Sequence, residues 1–141
     1  MKTIKFITLT SLLVFGLLTQ THAAIAIIVN PDNNTQFDER TVRQIFLGQI
    51  KTFPDGSEAR AYDNLGNDAL RSAFITQVLR RNESTMNAYW ARMIFTAKAT
   101  PPQELPNSAS VKKTVAENKN AIGYIEADKI DNSVRVIVTI E

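Results

Sequence analysis

Ala24-Ile25-Ala26-Ile27-Ile28-Val29-Asn30 is an apolar run rich in β-branched residues, closed by Pro31-Asp32-Asn33-Asn34. An apolar run without alternation predicts a strand buried on both faces, followed here by a turn. Phe37-Asp38 then opens a helix, with Asp38 placed to cap the free N–H groups and Phe37 to pack back onto Val42. Val42, Ile45 and Phe46 share one helical face, and Gly48 supplies a left-handed stop.

Lys51 to Ser57 has the composition of a turn, and Glu58 to Tyr62 that of a short strand. Asp63-Asn64-Leu65-Gly66-Asn67-Asp68 reads as a polar loop leading into a second helix, whose apolar face is Leu70, Ala73, Phe74 and Val78. A third helix starts near Ser84. Its stripe of Met86, Tyr89, Trp90, Met93 and Ile94 reads as core, because such residues at helical spacing are most often buried. Thr100 to Pro106 is a proline-stiffened extended connection. Ser108 is placed to cap a fourth helix carrying Val111 and Val115. Ala121 to Ile125 is a strand, Ala127 to Ile130 a helical turn, and Val134 to Ile140 a final strand. Strands and helices intermix, which implies an α/β sheet with helices on its faces.

The segment before this pattern is of another kind. Lys2 and Lys5 precede an apolar run from Ile7 to Leu18, and Thr21-His22-Ala23 offers small residues at a cleavage site. That is the layout of a secretory signal peptide over residues 1–23, with residues 24–141 as the mature domain. The run is too short for the roughly 20 residues a membrane span needs. Without a Cys at the cut there is no lipid attachment, and the expected location is the periplasm.

Cleavage changes the charge. The whole chain of 141 residues has a formal net charge of +2, with 16 basic and 14 acidic residues. Loss of Lys2 and Lys5 makes the mature domain neutral, which removes the case for a nucleic-acid partner. Its basic pairs, Arg80-Arg81 and Lys112-Lys113, suit a solvated helix face. The single His lies in the signal peptide and the chain has no Cys. The mature domain therefore lacks the commonest general base, the usual metal-nitrogen ligand and a thiol nucleophile. Asp and Glu show no spacing of a catalytic pair, and the 63–68 loop departs from a calcium-loop order. The expectation is a protein that is not an enzyme and carries no cofactor or metal.

One local feature suits a ligand. A helix starting at Asn67 or Asp68 aims its free N–H groups and positive dipole end at the preceding loop. Gly66 permits close backbone approach, and Arg60 and Arg71 add positive charge. One reading is an oxyanion pocket built from Arg60, Asp63, Asn64, Gly66, Asn67, Asp68 and Arg71. The other is a helix cap, in which Asn67 or Asp68 satisfies the donors itself and Arg71 is a solvated helix residue.

Ile45-Phe46-Leu47-Gly48-Gln49-Ile50-Lys51, preceded by Ile27-Ile28-Val29-Asn30-Pro31, resembles the phosphate-binding proteins of ABC transporters, a family of type II periplasmic binding proteins. Ala88 to Thr96 and Ala121-Ile122-Gly123-Tyr124-Ile125 fit the same pattern. The resemblance implies the second of that family's two lobes: a single three-layer α/β lobe, with a mixed sheet flanked by helices. It implies a substrate-binding protein for phosphate or a similar oxyanion, working with a membrane permease. The basic residue of the family site falls on Arg60, or its slot on Asn64. The hydroxyl-bearing loop falls on Asn67-Asp68-Ala69-Leu70, which has no hydroxyl and adds a carboxylate. A half-cleft of this kind implies either a homodimer that completes it, or a lobe repurposed to dock on a permease or sensor protein with no small ligand.

Overall fold

The computed structural model describes residues 24–141; the signal peptide expected over residues 1–23 lies outside the described residues. The unbroken apolar run forms β1 (Ile25–Val29), fully buried at all five positions. It pairs antiparallel with β4 (Ala121–Glu126) on one side and with β5 (Arg135–Ile140) on the other. β2 (Arg60–Asn64) adds parallel to β4, and β3 (Gln103–Leu105) parallel to β2. The sheet is thus mixed, in the order β3-β2-β4-β1-β5.

Side chains alternate across a strand, so β1 feeds two cores. Ile25, Ile27 and Val29 pack with Val42, Phe46, Phe74 and Tyr124. Ala26 and Ile28 pack on the other face with Val111 and Val115. Helices α1 (Glu39–Phe46), α2 (Asp68–Gln77) and α3 (Glu83–Phe95) cover the first face. α4 (Ser108–Glu117) covers the second, completing the expected three-layer α/β lobe.

Local chemistry sets the helix ends. Asp38 caps α1 by accepting from the Thr41 N–H at 2.9 Å. Gly48 ends it at φ +67°, where its own N–H and that of Gln49 reach back to the Ile45 and Gln44 carbonyls at 3.0 and 2.9 Å. This is the paired-bond stop that glycine favours. α3 ends by the same bonds, Ala97 N–H to Ile94 and Lys98 N–H to Met93, but the left-handed position is held by Ala97 at φ +54°. Asn30, at the end of β1, donates to the Val115 and Ala116 carbonyls and so closes the C-terminal end of α4.

Three expectations change. The cap of α4 is Asn107, which accepts from Ser110 N–H at 2.8 Å; Ser108 is the first helical residue and is buried. The proline-stiffened connection contains β3, formed where residues 103–105 run beside β2. In α3, Met86 and Tyr89 are buried and Trp90 and Met93 half-buried, but Ile94 is 56% exposed. The reason is that α3 packs on α2, and on the end of α1 through Tyr89, which donates its hydroxyl to the Leu47 carbonyl at 2.5 Å. Its last turn overhangs that support.

Gly123 sets the distance of α4 from the sheet. A Cβ there would lie 2.5 Å from Val111 Cγ1 and 3.4 Å from Val115 Cγ2. The missing side chain lets the helix seat directly on β4.

Candidate functional site

β2, β3 and β4 run parallel and end at one edge, where α2 and α4 begin. Strand carboxyl ends facing helix amino ends are where α/β sheets take ligands, because backbone donors and helix dipoles converge there. Asp63 and Asn64, expected in a loop, are the last two residues of β2. Alternation sends their side chains to opposite faces.

Asp63 lies on the face of the large core. It accepts from Arg71 Nε at 2.9 Å and from the Tyr124 hydroxyl. Tyr124 is fully buried and stacks on Phe74, with ring centroids 3.8 Å apart and planes 5° from parallel. Burial, followed by the neighbouring Asp63 charge, pushes its phenol far above the usual tyrosine range. Tyr124 is therefore a fixed hydrogen-bond donor, and the Asp63 carboxylate has two committed partners.

Asn64 lies on the other face, fully buried. Its Nδ2 donates to Ser108 Oγ at 2.7 Å and to the Tyr124 carbonyl at 3.2 Å, while its Oδ1 accepts from Gly66 N–H at 3.1 Å. One side chain thus ties together β2, β4, α4 and the following loop.

The centre of this edge is Glu126, the last residue of β4 and only 6% exposed. Ser108 Oγ, at the start of α4, donates to its Oε2. Asn67 Nδ2, at the cap of α2, donates to Oε1 at 3.0 Å, and Lys129 Nζ approaches the same oxygen at 3.2 Å. Burial alone would raise the carboxyl pKa; the bonds from Ser108, Asn67 and Lys129 outweigh it and hold the group down at about 2. The carboxylate sits beside the amino ends of α2 and α4, where a negative charge suits the helix dipoles.

The other expected residues are spread around this centre. Asn67 caps α2 by accepting from Leu70 N–H at 3.1 Å, which is the helix-cap reading. Asp68 is exposed in the first turn, where a carboxylate suits the helix dipole. At Gly66 the close approach is made by the chain itself, since a Cβ would lie 2.6 Å from Asn107 Cα and 2.7 Å from the Pro106 carbonyl oxygen. Arg60 is at the opposite end of β2, exposed and paired with Glu58 at 2.8 Å. The structure therefore brings Asp63 and Arg71 together, joins Asn64 and Asn67 through Ser108 and Glu126, and leaves Arg60 apart. Sequence reasoning missed Glu126, Ser108 and Tyr124; the available signal was an acid closing the apolar strand Ala121–Glu126.

A family model described as a PBP superfamily domain matches residues 20–138. No curated protein matches the chain. Among solved structures, an ABC-type phosphate transport receptor from Vibrio cholerae matches with a TM-score of 0.63 and 18% identity, over 83% of this chain and 47% of that one. A Clostridium perfringens protein with bound phosphate, described as a phosphate ABC transporter substrate-binding protein, matches at 0.60 and 19%, over 82% and 45%. PstS from Borrelia burgdorferi matches at 0.57 and 12%, over 81% and 46%. The chain spans less than half the length of these three proteins. At such identities the likeness is one of fold.

Proposed function

The chain belongs to the PBP superfamily, and from that premise we propose that it is a single binding lobe used as a protein-interaction module, with its own carboxylates standing where a small anion would. The carrying observation is Glu126, buried between the amino ends of α2 and α4 and hydrogen-bonded by Ser108 and Asn67. An oxyanion entering this edge would meet Glu126, Asp63 and Asp68, with the nearest cations Lys129 and Arg71 already paired. Bringing a second anion against a buried carboxylate is unfavourable, because like charges in a poorly solvated site repel strongly. The setting is the periplasm, reached through the signal peptide over residues 1–23, and the partner is a membrane permease or sensor protein.

A second reading keeps phosphate or a similar oxyanion as the ligand, held by Asn67 and Arg71 in a cleft that a second copy completes. It is favoured by the fold likeness to phosphate transport receptors and by the Arg71 side chain, which remains 34% exposed beside the helix start. Calorimetry with millimolar phosphate and sulfate separates the two. The interaction lobe gives no saturable heat. A saturable isotherm weakened by Arg71→Ala would establish the second reading and overturn the first.

A further inference from the structure

The sheet edge where α2 and α4 begin also holds a groove of about 470 Å³, between the start of α4 and the turn Ala127–Lys129 that follows β4. Asn107, Ser108 and Lys112 form one wall, and Asp128, Ile130 and Asp131 the other. Ile130 is 37% exposed. Leu65, 42% exposed, lies in the loop that packs beside this groove. Its N–H donates to the Leu105 carbonyl at 3.0 Å, and the next residue, Gly66, lies against Asn107 of the groove wall. Two of the four exposed large apolar side chains among the described residues, Leu65 and Ile130, are thus tied to one concave surface. Grooves with apolar residues at their border are contact surfaces for partners.

Charge selects the occupant. Arg71 is paired with Asp63, Lys112 with Asp131 and Lys129 with Glu126. Three acids at this edge are exposed and have no ion-pair partner among the described residues. They are Asp68, next to the Asn67 that bonds Glu126, Asp128 in the groove wall, and Glu104, next to the Leu105 that holds Leu65. Exposed Lys113 follows Lys112 on α4 outside the groove wall, so even with it counted three unpaired acids meet one cation. Among the described residues no group of three acids is close enough to hold a metal ion. An apolar-bordered groove with excess acid complements a segment that carries Lys or Arg beside aliphatic or aromatic residues. A second copy docked through the same face would set acids against acids, and an anionic bilayer meets the same repulsion.

We propose that the groove between α4 and residues 127–131, bordered by Leu65 and Ile130, docks a basic, apolar segment of another protein. This rests on the reading of the chain as an interaction lobe, and it names the surface and the chemistry of the partner.

The test is selection of a random peptide display library on the full mature domain, followed by titration of labelled enriched peptides by fluorescence anisotropy. The expected peptides carry Lys or Arg beside aliphatic or aromatic residues, and added salt weakens their binding. Asp128→Lys and Ile130→Ser, both at exposed positions and checked for fold by circular dichroism, each weaken it about tenfold or more. Phe95→Ser, at the exposed end of α3 and far from the groove wall in the chain, leaves it unchanged. No enrichment, peptides without basic residues, or binding indifferent to Asp128→Lys and Ile130→Ser would overturn the proposal. So would binding lost in Phe95→Ser, or a dimer in sedimentation that Ile130→Ser dissolves. A saturable phosphate isotherm overturns the lobe reading itself, whereas absent phosphate heat with no enriched peptide overturns this surface alone.

Discussion

Glu126→Gln removes a charge while keeping the shape of the side chain. In the native protein the carboxyl is lowered from the ordinary 4.5 to about 2 by the bonds from Ser108, Asn67 and Lys129. At 1.36 kcal/mol per pH unit this corresponds to at most about 3 kcal/mol of stability. Lys129 is 53% exposed, and solvent screening of its share brings the expectation to about 2 kcal/mol. Because the folded-state pKa lies below the unfolded one, this stability is fully present above about pH 5 and is lost as pH falls towards 2. Urea unfolding of both proteins, followed by circular dichroism at pH 7, 5, 3 and 2, measures it. The native protein should exceed the variant by about 2 kcal/mol at pH 7, with the difference closing at the acid end. Other acids titrate in both proteins and cancel. A difference that is constant across pH would refute the reasoning, since it would come from shape or packing and not from the charge held between the helix ends.

Gly123→Ala drives a methyl group against Val111 Cγ1 at 2.5 Å; a β-branched side chain on a helix has little rotamer freedom, so a loss of about 1–3 kcal/mol is expected by chemical denaturation. Val111→Ala in the same chain should recover part of it as a coupling term, and additive losses would show that the two sites do not meet. Ala97→Gly relieves the left-handed backbone at the exposed end of α3; it should stabilise by about 0.5–1 kcal/mol, seen as a small rise in Tm, and a fall in Tm would contradict the assignment.

The parts of the fold that could be read from sequence were those fixed by local chemistry. The unalternating run of β1, the Asp38 cap and the Gly48 stop each depend on a few adjacent residues. Periodicity also grouped Met86, Tyr89, Trp90, Met93 and Ile94 correctly on α3, but a shared face does not say what covers it. The end of α3 extends past its support, so Ile94 is exposed. The candidate site was legible only along its own segment, as the Asn67 cap and the grouping of Asp63 and Arg71 in one candidate pocket; their ion pair comes from the structure. Its centre comes from residues 59 and 18 positions away, Asn67 and Ser108 meeting Glu126. A lone acid at the end of an apolar strand has no spacing to announce such partners. Ser108 was misread as a cap because Asn107 competes for the same role one residue earlier.

The place of β1 in the sheet also bears on the order of folding. Its neighbours are β4 and β5, so Ile25 pairs with Glu126 and Ile140, more than a hundred residues along the chain. No earlier segment can satisfy either edge of this strand. Loop-closure entropy must be met before those contacts form, which makes folding slow relative to helical domains of this size. A chain that lacks Arg135–Ile140 leaves one edge of this fully buried apolar strand unpaired. Formation of this lobe is therefore late relative to its own first strand, because the sheet closes only when the last strand joins it.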